Sequence, residues 1–378
     1  MAALTEEQSI VRDQAKSWAA EQAPVQAFRA VRDSGASTAY DAKTWQDMVS
    51  LGWPGIIVPE AYGGSGLGYL TFGLVLEELG RQLTASPLLA SGLVGASALL
   101  VGGSEAQKAA LLPKIVNGSE IVTLAVDESP RHAPQQTNLQ AVRSASGYRL
   151  TGSKTFVLEG MAATTFIVAA RTSDEPGETS GISLFLVPAS AAGLQRSAMQ
   201  TIDSRGYAQL ALDGVEVPGD AVLGAVDQGF AILDATLDRG RAGAAAEMLG
   251  TAAQAFDMTL DYLKTRKQFG QVIGSFQALG HRAAALFSGM ELARSCVEAA
   301  LQAIDDGSAD AALACSLSKA RMGHHLYEMS NQLIQIHGGI GMTDEFDAGL
   351  YLKRARVIEA TFGNRAFHRD RFARLSGF

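Results

Sequence analysis

The chain has 378 residues, 47% of them hydrophobic and 19% charged, with a formal net charge of −8. That length holds two or three domains with ample apolar material for a core, and the absence of any Lys/Arg block able to displace counterions from a phosphate backbone excludes a nucleic-acid partner. The two cysteines, Cys296 and Cys315, have no metal or redox spacing; they read as core fillers within one helical stretch and fit a reducing compartment without a disulfide framework.

The chain starts polar and acidic, with neither the basic start nor the apolar run of a secretory signal, so a cytoplasmic location is expected. Thr5 and Gln8 form a capping box ahead of Ile10, Val11, Ala15 and Trp18 on one helical face. Helical periodicity continues over 44–51, 71–83 and 104–116, where Ser104 and Gln107 make a second capping box and Gly118 follows the end. The apolar stretch 88–103 is interrupted by Ser91, Gly92, Gly95 and Ser97 and is too short for a hydrocarbon layer of about 30 Å, so it reads as a buried helix and no membrane span is expected. An N-terminal helical domain over 1–120 follows.

Between 121 and 224 the texture changes. Runs at 121–126, 148–150, 166–170 and 182–187 are rich in β-branched and apolar residues and alternate with Gly, Ser and Pro, which predicts a central antiparallel β-domain. The polar stretch 173–181 reads as an exposed hairpin loop. From 225 to 378 long Ala-rich segments at 230–266, 276–305, 309–338 and 347–360 predict a C-terminal helical bundle. The fold class is therefore mainly α with a central β-domain.

Most general functional motifs are absent from the sequence. The glycine-rich segment 63–68 lacks the strand and βαβ context of a dinucleotide fingerprint and reads as a turn. There is no Walker lysine loop, no His-Glu-x-x-His and no nucleophile-elbow serine. His324, His325 and Glu328 share a helix, but without paired Glu-x-x-His repeats they read as a bundle-surface group and no metal is expected.

Two segments stand out: Arg266-Lys267-Gln268-Phe269-Gly270, and Gln335-Ile336-His337-Gly338-Gly339-Ile340-Gly341-Met342-Thr343. Each alone reads as a helix terminus with a glycine cap. Together they supply an arginine for a pyrophosphate, glutamines to hydrogen-bond it and glycines that let backbone amides approach, which describes a cradle for a dinucleotide anion.

With these segments, the chain resembles the acyl-CoA dehydrogenase family over essentially its whole length. The resemblance also rests on Val58-Pro59-Glu60 with Gly63, Gly64 and Gly66, on Leu76-Glu77-Glu78-Leu79-Gly80-Arg81, and on Gln107 with Leu111-Leu112-Pro113. Leu150-Thr151-Gly152-Ser153-Lys154 and Gly214-Val215-Glu216-Val217-Pro218 complete it. It implies an N-terminal helical domain, a central β-domain and a C-terminal four-helix bundle, assembled as a tetramer or dimer. It further implies FAD as cofactor, an acyl-CoA substrate, an electron acceptor, and a role in fatty acid or steroid side-chain catabolism. Arg266, Gln268, Phe269, Gln335, Gly338 and Gly339 match the positions that touch the ADP half of flavin held by a neighbouring subunit, and 88–100 matches the helix that lines the acyl pocket.

The flavin-ring half departs from the family. Its Thr-Glu-Pro-Gly-Ala-Gly-Ser-Asp segment corresponds to Asp127-Glu128-Ser129-Pro130-Arg131-His132, and its Trp-Ile-Thr/Ser segment to Phe156-Val157-Leu158, so a hydroxyl beside the ring becomes an isobutyl group. The catalytic base departs too. Abstracting the α-proton of a thioester needs a carboxylate beside Cα while hydride leaves Cβ. The family supplies the base from one of two positions, occupied here by Phe362 and by Gly240, which precedes Arg241. Neither takes a proton. Glu247, almost two helical turns beyond Gly240, is a weak candidate for a displaced base and reads better as a helix-surface carboxylate; Glu359 and Asp238 are also nearby in sequence. The Phe362 amide can still donate to a thioester carbonyl.

An intact cradle beside a degraded ring site resembles the small or partner subunits of heteromeric acyl-CoA dehydrogenases, such as those for pimeloyl-CoA. The reading is a family subunit that acts in α,β-dehydrogenation with a Glu-bearing partner. Two alternatives stay open: a self-sufficient homo-oligomeric flavoenzyme with a displaced base, and a non-enzymatic CoA-ester or flavin-binding scaffold.

Overall fold

The structure, a computed structural model, describes residues 4–378; the first three residues of the polar start lie outside the described residues. Helices α1 (Glu6–Gln22), α2 (Val25–Ser34), α3 (Ala42–Ser50) and α4 (Gly68–Arg81) open the chain. The Thr5 hydroxyl accepts from the Gln8 amide while the Gln8 side chain accepts from the Thr5 amide, so the capping box forms as expected. The 88–103 stretch is a π-helical turn over Leu88–Gly95 that runs into α5 (Ala96–Gly102), almost wholly buried. Among the described residues no helix is long and apolar enough to cross a membrane. In α6 (Glu105–Val116) the second capping box, Ser104 with Gln107, is present.

The strands are β1 (Val122–Ala125), β2 (Gln140–Arg143), β3 (Gly147–Leu158), β4 (Thr165–Arg171), β5 (Ile182–Pro188), β6 (Leu194–Met199), β7 (Tyr207–Pro218) and β8 (Val222–Leu223). They make one sheet in the order β6-β7-β3-β2-β4-β5-β8, with β1 pairing β4. The expectation of a purely antiparallel sheet is corrected, because β1 runs parallel to β4, as does β2 at its single pair. Every residue of β4 is buried, the continuous apolar run of a strand covered on both faces. The 173–181 loop joins β4 to β5, and the buried Arg171 guanidinium donates to the Gln135, Thr137, Glu178 and Ser180 carbonyls beneath it.

Helix α7 (Gly229–Thr265) follows, then a two-stranded hairpin of β9 (Lys267–Gln268) and β10 (Gln271–Val272), then α8 (Gln277–Asp305), α9 (Ala311–His337), α10 (Ala348–Ala360) and α11 (Arg365–Leu375). Cys296 and Cys315 therefore sit on different helices, α8 and α9, and both are free.

The chain packs as two compact units: Met1–Ala30 with Tyr69–Thr84 and Arg241–Phe378, and Val31–Gly68 with Ala85–Gly240. The helices before residue 120 are thus shared between the units. In the first, α4 crosses α7 with no side chain between the backbones: a Cβ on Gly80 would fall on the Glu247 carbonyl, and one on Gly250 on the Glu77 carbonyl. Asp305, at the end of α8, accepts from the Tyr69 and Leu70 amides and so caps α4. In the second unit the sheet buries Leu150, Phe166, Val168, Phe185 and Val215 in one cluster. Gln107 there donates to the Asp220 and Val222 carbonyls, fastening α6 to β8.

Candidate functional site

The two segments expected to form an anion cradle lie in the first unit, at the C-terminal ends of α7 and α9. Arg266 and Gln268 are exposed on the β9–β10 hairpin, whose two-residue turn is Phe269 and Gly270, with φ 53° and 80°. Both central residues in the left-handed region make the tight turn that matches strand twist. Phe269 is 91% exposed there. At the end of α9, Gln335, Gly338 and Gly339 are exposed, and a Cβ placed on either glycine meets nothing within 4 Å. The backbone is bare on that side, as close approach of an anion to amide groups requires.

His337 joins the two segments, a role the sequence reading missed although the residue sits inside the second motif. Its buried ring stacks on Tyr262 (4.3 Å between centroids, 30° between planes) and on Phe346 (4.7 Å, 35°). Nδ1 lies 2.7 Å from the Leu333 carbonyl, and the Tyr262 hydroxyl donates to the His337 carbonyl at 3.4 Å. Burial pushes the imidazole pKa down, which favours the neutral ring that aromatic packing wants. Tyr262 belongs to the last turn of α7, so this stack fixes one helix end against the other.

Of the two residues expected at base positions, Phe362 lies in the first unit and Gly240 is the last residue of the second. Phe362 follows α10 with φ 59°, and its carbonyl accepts from Arg241 Nε (3.4 Å) and His368 Nε2 (3.1 Å). The fully buried Lys319 donates to the Ile358, Glu359 and Gly363 carbonyls, closing the end of α10 and the turn beyond it; burial lowers its pKa to about 7. Thr361 and Gly363 donate to the Val357 and Ala360 carbonyls, whereas the Phe362 amide has no acceptor among the described residues. Gly240, directly before Arg241 on α7, has no side chain to offer.

The nearby carboxylates are committed elsewhere. Glu247 is not a surface residue, as its position on an Ala-rich helix suggested. It is 7% exposed and bound by Arg354 at 2.9 Å (Nε) and 2.7 Å (Nη2), because α10 packs over that face of α7. Glu359 accepts from the Arg365 amide at 2.8 Å at the start of α11, and Asp238 is buried.

In the second unit, the residues aligned with the flavin-ring half are also internally satisfied. Asp127 holds His132 Nδ1 at 2.8 and 3.0 Å. Glu128 accepts from the Asn138 and Leu139 amides and from the buried Lys154, which also donates to the Val126 carbonyl. Phe156 falls at a register shift of β3 against β7, has φ 52°, is 41% exposed, and its amide contacts the Met199 sulfur at 3.3 Å. Leu158 is buried, and its carbonyl accepts from the Thr123 hydroxyl. The three phenylalanines named from the sequence, Phe156, Phe269 and Phe362, are thus all in the left-handed region. Backbone of that kind costs about 1–3 kcal/mol for a bulky side chain and clusters at functional sites.

His324 and Glu328 form the expected exposed pair at 3.3 Å. His325 does not join them: it is buried against Gly289 of α8, and its pKa falls to about 4. No metal-binding group of His, Cys, Asp or Glu is present among the described residues.

A helical bundle with an exposed hairpin and exposed, sterically open glycines at its helix ends, together with a β-sheet unit, belongs to the class of FAD-dependent oxidoreductases acting on acyl-CoA. The family models for the acyl-CoA dehydrogenase N-terminal, middle and C-terminal domains match residues 5–119, 129–215 and 227–376. A probable acyl-CoA dehydrogenase of Bacillus subtilis, YngJ, is 32% identical over 377 residues, covering 98% of each chain. Among solved structures, a variant of the Tcur3481-Tcur3483 steroid ACAD superposes with a TM-score of 0.88 at 31% identity, covering 98% of both chains. The ChsE4-ChsE5 complex of Mycobacterium tuberculosis gives 0.90 at 26% identity, covering 100% of both. The chain belongs to the acyl-CoA dehydrogenase family.

Proposed function

We propose that this chain is the base-deficient subunit of a heteromeric acyl-CoA dehydrogenase, completing the FAD site of a partner that carries the catalytic glutamate. The observation that carries this reading is the asymmetry of the two halves. Arg266, Gln268, Gln335, Gly338 and Gly339 are exposed and sterically open to a ligand from outside, while Phe362 and Gly240 present no carboxylate and Asp127, Glu247 and Glu359 are engaged by His132, Arg354 and the Arg365 amide.

In this reading Arg266 pairs with the pyrophosphate as a charge-assisted donor, Gln268 and Gln335 hydrogen-bond it, and the bare backbone at Gly338 and Gly339 lets it approach. Phe269 covers an apolar part of the cofactor. A bound FAD would supply the hydride acceptor for Cβ of the acyl group. The α-proton must go to a carboxylate, which falls to the partner. The resemblance to structures named as a complex of two components, ChsE4-ChsE5 and Tcur3481-Tcur3483, supports a heteromeric assembly. The pairing of Glu247 with Arg354 speaks against a displaced base.

Purified alone, the chain should retain less than one FAD per polypeptide and show no acyl-CoA turnover with an artificial electron acceptor. Co-expression with a Glu-bearing dehydrogenase encoded beside it should yield an active complex, and Arg266→Ala in this chain should lower that complex's FAD content. Turnover by the homogeneous chain sinks the proposal, and loss of that turnover in Glu247→Gln would put the displaced-base reading in its place.

A further inference from the structure

A concentration of arginines lies on α9 and α11, away from Arg266 and the Gly338–Gly339 turn. Arg321, His324, Tyr327 and Glu328 line one side of a cavity of about 600 Å³, and Arg365 and Arg369 line the other. That volume lies in the range of small-molecule sites, about 300–1,000 Å³. About 16 Å of helix separates Tyr327 from Gly338, so this is not the cradle seen from another side.

The charges on this wall are not balanced from within. Arg321 and Arg369 have neither an ion-pair nor a hydrogen-bond partner among the described residues. The one lining carboxylate, Glu328, lies 3.3 Å from His324 Nε2. Arg365 is held ready by stacking: its guanidinium sits 4.3 Å from the Tyr327 ring centroid, as does that of Arg356, which is itself anchored on Asn331 at 2.6 Å. Three guanidiniums thus converge on one concave space in a chain whose net charge is −8. Arg369 is exposed and Arg321 and Arg365 half-buried; like charges gathered along one groove repel one another unless an anion joins them, and planar guanidinium forks match the oxygens of phosphoryl groups.

We propose that this groove binds a small pyrophosphate-bearing anion, with Arg321, Arg365 and Arg369 as its donors. The proposal is independent of the flavin reading. The diphosphate can come from inorganic pyrophosphate or from a nucleotide diphosphate, and the two are separable.

The test is calorimetric titration of the full chain with inorganic pyrophosphate and, in parallel, with ADP. Pyrophosphate should bind, weaken at least tenfold in the Arg321→Ala/Arg369→Ala double variant at unchanged melting temperature, and bind the Arg266→Ala variant as it binds the parent. ADP binding more tightly than pyrophosphate at the same groove identifies the nucleotide source; equal or weaker binding identifies the free anion. Glu328→Gln, which removes the opposing carboxylate, should tighten pyrophosphate severalfold and decides the matter if the double variant folds poorly. Absence of pyrophosphate binding at millimolar concentration, full binding by a folded double variant, or an unchanged affinity in Glu328→Gln each overturns the proposal.

Discussion

Phe269 shows what single residues do at this site. A largely exposed aromatic in the left-handed region is unfavourable twice, once for its hydration and once for its backbone, and its one ring contact among the described residues is edge-on with Phe276, 6.2 Å between centroids. Asn tolerates that conformation, so Phe269→Asn should raise the unfolding free energy by about 1 kcal/mol, measured by denaturant titration, while FAD retention by the assembled complex falls. Loss of stability with flavin retention intact would mean that Phe269 serves the fold. Glu247 is the opposite case. Glu247→Ala leaves Arg354 charged and buried without its partner and should cost about 3–5 kcal/mol, read from the denaturation midpoint, whereas a dispensable surface carboxylate would cost almost nothing.

At the scale of elements, the crossing of α4 and α7 is the contact with the least tolerance. Gly80 and Gly250 let the two backbones touch, and the Thr251 hydroxyl lies 2.9 Å from the Glu247 carbonyl and 3.3 Å from the Gly80 carbonyl, sharing its proton between them. Gly250→Ala therefore has to push the helices apart and should destabilise by about 1–3 kcal/mol or more. Because Glu247 and Arg354 lie along the same stretch, the variant should also loosen that ion pair, visible as faster amide exchange in α10 than in α11. A variant as stable as the parent would show that the crossing has slack.

For the whole molecule, pH should act through His325. Burial first, then the neighbouring Arg321 and His324 charges, lower its pKa from 6.5 to about 4. Between these values the unfolded chain binds a proton at this ring and the folded chain does not. The unfolding free energy therefore falls as pH drops from about 6.5 to about 4 and is flat in this contribution outside that window. His325→Gln should reduce the slope by up to roughly one proton in that range. An unchanged slope would mean that His325 is already charged in the folded bundle.

Periodicity and local end signals suffice to locate most helices and strands, because capping boxes such as Thr5 with Gln8 and Ser104 with Gln107 are local and the structure forms both. Helices α2 and α11 are harder to read: α2 is only ten residues long, and α11 starts from a single cap, Asn364 accepting from the Phe367 amide, directly behind a turn. The family and its FAD follow from motifs in order along the chain, and the proposal of a missing base rests on the identities of Phe362 and Gly240. What the sequence alone could not decide is which charged groups remain available for chemistry. The pairing of Glu247 with Arg354, the His337 stack and the arginine groove on α9 and α11 each join residues far apart in the chain or on separate helices. Whether a buried charge is spent on a neighbour or left for a ligand depends on distances of a few ångströms, and only tertiary packing sets those.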